Sequence, residues 1–166
     1  KSGGFEVDLK TEITPEDLVK EIGNYDALVI RSRTNVTAEV FAKVVNDLYG
    51  HIVKKRGRTM LMWGDRLLDA KAMKGGEWEY AKNGTAGAVD LVPKDIVICD
   101  WHYDRQYEYR SLDTFLNRGF RVWPAVCDKW PDALAFVRAA RRRQDPRVLG
   151  VLATYWATPA GASEFL

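Results

Sequence analysis

The chain has 166 residues, 46% hydrophobic and 11% aromatic, which suits one domain with a sizeable core and argues against a disordered chain. Twenty-five Lys and Arg against 23 Asp and Glu leave a net charge of +2, so no global field steers the molecule to nucleic acid or to a membrane surface. Cys99 and Cys127 lie at or just beyond apolar strand patterns, which suits buried thiols in a reducing compartment better than a disulfide framework.

In chain order, "FEVDL" (5–9) alternates like a strand, and "TPEDLVKEIG" (14–23) predicts a helix with Thr14 as N-cap, Pro15 at its first position and Gly23 as its stop. "DALVI" (26–30) is the next predicted strand. From 37 to 56, Val40, Phe41, Val44, Val45, Leu48, Ile52 and Val53 recur at helical spacing, and Lys54, Lys55 and Arg56 before Gly57 close that helix. His51 sits there among charges and is expected to face water.

Strands "TMLMW" (59–63) and "DIVIC" (95–99) follow, with segment 64–94 between them. A structureless loop of that length is improbable in a small domain, so a short helix is expected around 77–82. A helix over 111–118 closed by Gly119, strand "FRVW" (120–123), a helix over 131–143 and strand "VLGVLA" (148–153) complete the series. The run Arg141-Arg142-Arg143 reads as a solvated helix end whose cations complement the dipole. No apolar stretch is long enough for a membrane span and no signal peptide opens the chain, so the expected setting is the cytoplasm on recombinant expression. Because the chain opens on Lys1 in place of Met, a trimmed start is expected.

Strands alternating with amphipathic helices predict an α/β fold with a mainly parallel sheet of about six strands and flanking helices. The sheet is expected to be either open, flavodoxin- or Rossmann-like, or a partial barrel. Polar and aromatic residues follow several of these strands: Trp63 to Arg66, Asp100 to Asp104, Trp123-Pro124 and Tyr155-Trp156. Ligands of parallel α/β folds bind at the C-terminal ends of strands, and Trp with Asp there suits a sugar, whose C–H faces stack on rings. The alternative is that these aromatics plug the end of the sheet. Cys99, Asp100, His102 and Asp104 use metal-ligand chemistry, but Cys99 and Asp100 alternate across a strand and no CxxC or HExxH accompanies them, so no metal and no cofactor is expected. There is no G-x-S-x-G, so a nucleophilic serine site is not expected either.

Between about 41 and 156, "KKRGRTMLMWGDRLLD", "GEWEYAKNGTAGAVDLVPKDIVICDWHYD", "FLNRGFRVWPA" and "DPRVLGVLATYW" resemble the second half of a family-twenty glycoside hydrolase-like (β/α)₈ barrel, that of the β-hexosaminidase relatives. The resemblance implies that Trp63, Trp101 and Trp156 wall a sugar site, with Asp65 and Tyr103 as polar partners. It also implies that the adjacent Asp-Glu pair of that family belongs on an earlier strand, where "DALVIRSRTNVT" offers none. "GFEVDLKTEITPEDLVKEIGNYDALVIRSRTNVTAEVF" (4–41) instead resembles the N-terminal substrate-domain region of the D-3-phosphoglycerate dehydrogenases. That resemblance puts Arg31, Ser32 and Arg33 near an acid substrate and implies possible residual anion binding there. The chain has no G-x-G-x-x-G turn for a dinucleotide.

Together these readings predict one α/β domain over 1–166, with a dehydrogenase-like segment over 1–41, a half-barrel-like segment over 42–158 and a tail over 159–166. The expectation is a recombined or designed chimera with no native enzymatic activity, since neither resemblance brings a complete site. The alternative is residual binding of an N-acetylhexosamine-type carbohydrate or glycoside hydrolase-like activity. Half-barrel strands leave open edges, so a homodimer is expected as partner, with a weak sugar ligand and without nucleic acid or membrane.

Overall fold

The computed structural model describes residues 4, 6–29, 35–76 and 78–156. Its first helix, α1 (Pro15–Glu21), starts where the sequence puts it: Thr14 Oγ1 accepts the Asp17 backbone N–H at 3.1 Å. It runs into a 3₁₀ turn, Ile22–Asn24. Helix α2 (Ala38–Tyr49) is capped by Thr37 and continues as a wider π-helical turn over Gly50–Lys55. His51 is exposed, as its charged neighbours led one to expect.

The sheet has four strands, β1 (Leu61–Trp63), β2 (Val97–Trp101), β3 (Arg121–Val126) and β4 (Leu152–Ala153), all parallel and in the order β1-β2-β3-β4. It curls as half of a barrel would. The expected α/β class with a parallel sheet and flanking helices therefore holds, but the count of six strands does not. Residues 6–9 and 26–29 form no strand, and Val7 and Val29 stand 81% and 94% exposed. A strand exists through its hydrogen-bonded neighbour, and among the described residues neither run has one.

The helix expected around 77–82 is also absent among the described residues. Tertiary pairing wins there: Ala81 N–H donates to the Leu68 carbonyl at 2.8 Å and Ala70 N–H to the Ala81 carbonyl at 3.0 Å, which sets Ala81 in a parallel bridge with Asp69 after a turn. The helical content of the connection lies on either side, in a 3₁₀ turn Asp65–Leu67, the short α3 (Ala70–Met73) and a 3₁₀ turn Thr85–Asp90. Asp69 caps α3 through the Ala72 N–H at 2.8 Å.

Helices α4 (Arg110–Asn117) and α5 (Trp130–Arg142) cover one face of the sheet, α4 on β2 and β3, α5 on β3. Gly119, at φ 87°, supplies the left-handed residue that turns the chain from α4 into β3. Met60, Ile96, Ile98, Val122 and Val126 point to this helical side and share a core with Leu112, Phe115, Phe120 and Phe136. The pleat sends Leu61, Trp63, Val97, Cys99, Trp101, Trp123 and Ala125 to the other face. Arg143 is not merely a solvated helix end. It grips Asp113 of α4 at 2.9 Å and donates to the Ala139 and Tyr109 carbonyls, which ties α5 to α4.

Candidate functional site

The strand ends gather two unlike clusters, one on each face of the sheet. On the helical side, Ile98, Asp100 and His102 follow one another at alternate positions, so the carboxylate of Asp100 and the ring of His102 enter the space beneath α4. His102 is only 2% exposed, so the imidazole belongs to the interior and not to a pocket rim. Its Nδ1 lies 2.8 Å from Glu79 Oε2 and its Nε2 lies 2.7 Å from Ser111 Oγ. Ser111 gives its single hydrogen to Asp100 Oδ2 at 2.7 Å, so it can only accept from His102. Glu79 is an acceptor as well. Both ring nitrogens therefore donate, and the side chain is an imidazolium.

The electrostatics agree. Burial pushes the His102 pKa down, but the Asp100 carboxylate and then Glu79 outweigh it and lift the value to about 9. Phe136 and Tyr109 meet the ring edge-on at 4.9 and 5.4 Å, and Gln106 donates to Glu79 at 3.2 Å. A ring held on every side has no free nitrogen to act as a base or to bind a metal. What it does chemically is fix one positive charge between two carboxylates, and thereby fix the loop that carries the second cluster.

That second cluster is aromatic and partly open to solvent. Trp101 packs on Tyr103 with centroids 4.9 Å apart, Trp78 meets Trp101 edge-on at 6.0 Å, and Trp156 Nε1–H donates to Tyr103 Oη at 2.7 Å. Thr154, just past β4, gives its single hydroxyl hydrogen to the Val126 carbonyl at 2.9 Å and accepts that of Tyr103 at 3.1 Å. Of the expected residues, Trp101, Tyr103 and Trp156 thus come together. Trp63 ends the neighbouring strand on the same face, 40% exposed, and makes no described ring contact with them. Asp65 does not join the cluster: it faces Arg66, whose Nε donates to it at 2.6 Å while the guanidinium also reaches the Trp78 and Tyr80 carbonyls.

Arg31, Ser32 and Arg33 lie outside the described residues. Cys99 is buried on the sheet face opposite Asp100, and burial pushes its thiol pKa up, away from a reactive thiolate; Cys127 is half-buried. Glu79, Ser111 and Trp78 escaped the sequence reading. Ser111 left one trace, a polar side chain on the apolar stripe of Leu112, Phe115 and Leu116. Glu79 left none, since it reaches His102 across 23 residues of sequence.

Residues 1–49 match the family model of the D-isomer specific 2-hydroxyacid dehydrogenase catalytic domain. Among curated proteins, the D-3-phosphoglycerate dehydrogenase of Archaeoglobus fulgidus is 41% identical over 46 residues, which is 28% of this chain and 9% of that enzyme. The match ends with α2, at Tyr49. It bears out the resemblance of the N-terminal segment to this dehydrogenase family and corrects the functional expectation. An inactive recombined or designed chimera, or a residual carbohydrate binder or glycoside hydrolase, is not what these matches support: the recognised stretch is similar to part of a dehydrogenase domain, and neither match names a glycoside hydrolase. No helix among the described residues is long and apolar enough to cross a membrane.

Proposed function

We propose that the chain acts within a 2-hydroxyacid dehydrogenase-type oxidoreductase, with residues 1–49 contributing recognition of a small hydroxy acid. The observation that carries this reading is the 41% identity over 46 residues to an enzyme named for D-3-phosphoglycerate. The chemistry of the segment is consistent with it. Arg31 and Arg33 flank Ser32, and guanidinium groups beside a hydroxyl suit a carboxylate or phosphate through bidentate hydrogen bonds. A nicotinamide dinucleotide, which such an oxidation requires, is not matched by the described strand-to-helix turns. Where a Gly-rich cradle would approach a pyrophosphate, β2 leads into His102, Tyr103 and Asp104, and β3 into Asp128 and Lys129. The contribution we assign to this chain is therefore binding the acid, not seating the hydride acceptor.

Titration calorimetry with 3-phosphoglycerate and with D-glycerate tests this. Binding in the micromolar to millimolar range is expected, weakened at least tenfold by Arg31→Ala or Arg33→Ala. Absence of heat with either acid at millimolar concentration would overturn the assignment.

A second reading rests on the convergence of Trp101, Tyr103 and Trp156 at the sheet's C-terminal end. The exposed ring of Trp156 beside the half-buried Trp101 and Tyr103 suits stacking against a flat ligand, with Trp63 as a further wall. Titrating tryptophan fluorescence with aromatic acids and nucleosides should give saturable quenching that Trp101→Ala removes. Linear, unsaturable quenching would dispose of this reading.

A further inference from the structure

Among the described residues, helices α4 and α5 cover one face of the four-stranded sheet and no helix packs on the other. A parallel sheet is ordinarily buried on both faces, because a bare face leaves apolar side chains in water and its outer strands leave backbone groups unpaired. Among the described residues β1 and β4 each have a single neighbour, so both edges are open. On the uncovered face Val97, Cys99 and Ala125 are buried at the centre, while Leu61, Trp63, Leu149 and Trp156 towards its edges are 40–70% exposed. On the same face the indole N–H of Trp123 is shielded from water without an acceptor among the described residues.

We propose that this face is closed by a second copy of the chain, giving an eight-stranded parallel barrel with a twofold axis along its centre. Three observations select this occupant. The strand order β1-β2-β3-β4 is sequential and all-parallel, so a twofold axis along the strands sets β4 of each copy beside β1 of the other, with every strand still parallel and no edge left. The sheet already curls as half of a barrel, and eight strands make the size whose interior side chains alone can fill. At about 150–250 Å² for a large side chain, these four exposed residues offer roughly 400 Å² per copy, about half of the roughly 800 Å² that each partner of a stable interface buries, before the newly paired β1 and β4 edges are counted. An antiparallel β1–β1 pairing would leave both β4 edges open and the concave face in water.

The consequence reaches the aromatic cluster. In such a barrel all eight strands end at one mouth, so Trp101, Tyr103 and Trp156 of one copy face the same group of the other. The far wall of the stacking site is then the partner's.

Sedimentation equilibrium at micromolar concentration should give twice the chain mass of 18.9 kDa. Leu61→Glu places a charge on the closing face and should return the monomer with its helical circular dichroism intact. If that variant does not fold, the unaltered protein still decides. Amide exchange at 61–63 and 152–153 should slow at least tenfold as concentration rises through the association range. A monomer at every concentration, a dimer whose edge amides exchange as fast as in the monomer, or a sheet closed by a different protein would each overturn the proposal.

Discussion

The N-terminal segment and the half barrel draw their order from different sources. Around α1, the described core is a cluster of three buried residues, Leu18, Ile22 and Val40, helped by surface links such as Tyr25 Oη–H to Asp8 at 2.6 Å. The half barrel and the far side of α2 share a cluster of twenty-four. Yet the recognisable kinship lies in the lightly packed region. Core positions tolerate many apolar residues of similar volume, whereas an exposed segment that keeps its identity is held by what it touches. The contrast suits a molecule whose stability comes mainly from the half barrel.

The largest effect expected from breaking this contrast is at the buried imidazolium. His102→Leu leaves Asp100 and Glu79 facing the interior without their shared cation, which should cost about 3–5 kcal/mol. Urea unfolding followed by far-ultraviolet dichroism checks it; a midpoint close to that of the parent would mean that the network is not buried as described. A pH series sharpens the same point. The His102 pKa is raised from 6.5 to about 9 on folding, so the native state binds the extra proton between those values. Its stabilisation, about 3 kcal/mol by linkage, is fully present below pH 6.5 and disappears as pH rises through 9. Stability that holds constant or rises across this window would contradict the assignment.

The N-terminal region should respond differently. Leu18→Ala removes a central member of the small cluster and should cost about 2 kcal/mol, since such a site collapses more easily than a deep core. The cost should register as loosening of α1, with the unfolding midpoint of the half barrel unmoved; a full shift of that midpoint would show one cooperative core. Thr14→Ala, which deletes the N-cap of α1, should cost about 1 kcal/mol and be seen as faster amide exchange confined to 15–21.

Much of this architecture could be read from the chain, and the failures have a physical pattern. Helices were legible where periodicity and local caps agree: Thr14 and Thr37 begin α1 and α2, and the stripe of Leu112, Phe115 and Leu116 marks α4. The strands at 61–63 and 97–101 were legible as apolar runs, the second of them buried. The runs at 5–9 and 26–30 misled because strand propensity is local while pairing is not. The bridged turn at Ala81 misled for the converse reason, since its partners at Leu68 and Ala70 leave no mark on the sequence around it. Within the site, Trp101, Tyr103 and Trp156 announced themselves by following strands. The Glu79–His102–Ser111–Asp100 network did not, because its members are joined only through the fold.

Native-state hydrogen exchange across the whole chain tests the division most directly. Amides of β2 and β3, over 97–101 and 121–126, should exchange only through global unfolding, while those of α1, over 15–21, exchange through local opening at least a hundredfold faster. Equal protection in the two regions would contradict the claim that the half barrel carries the fold and the N-terminal segment rides on it.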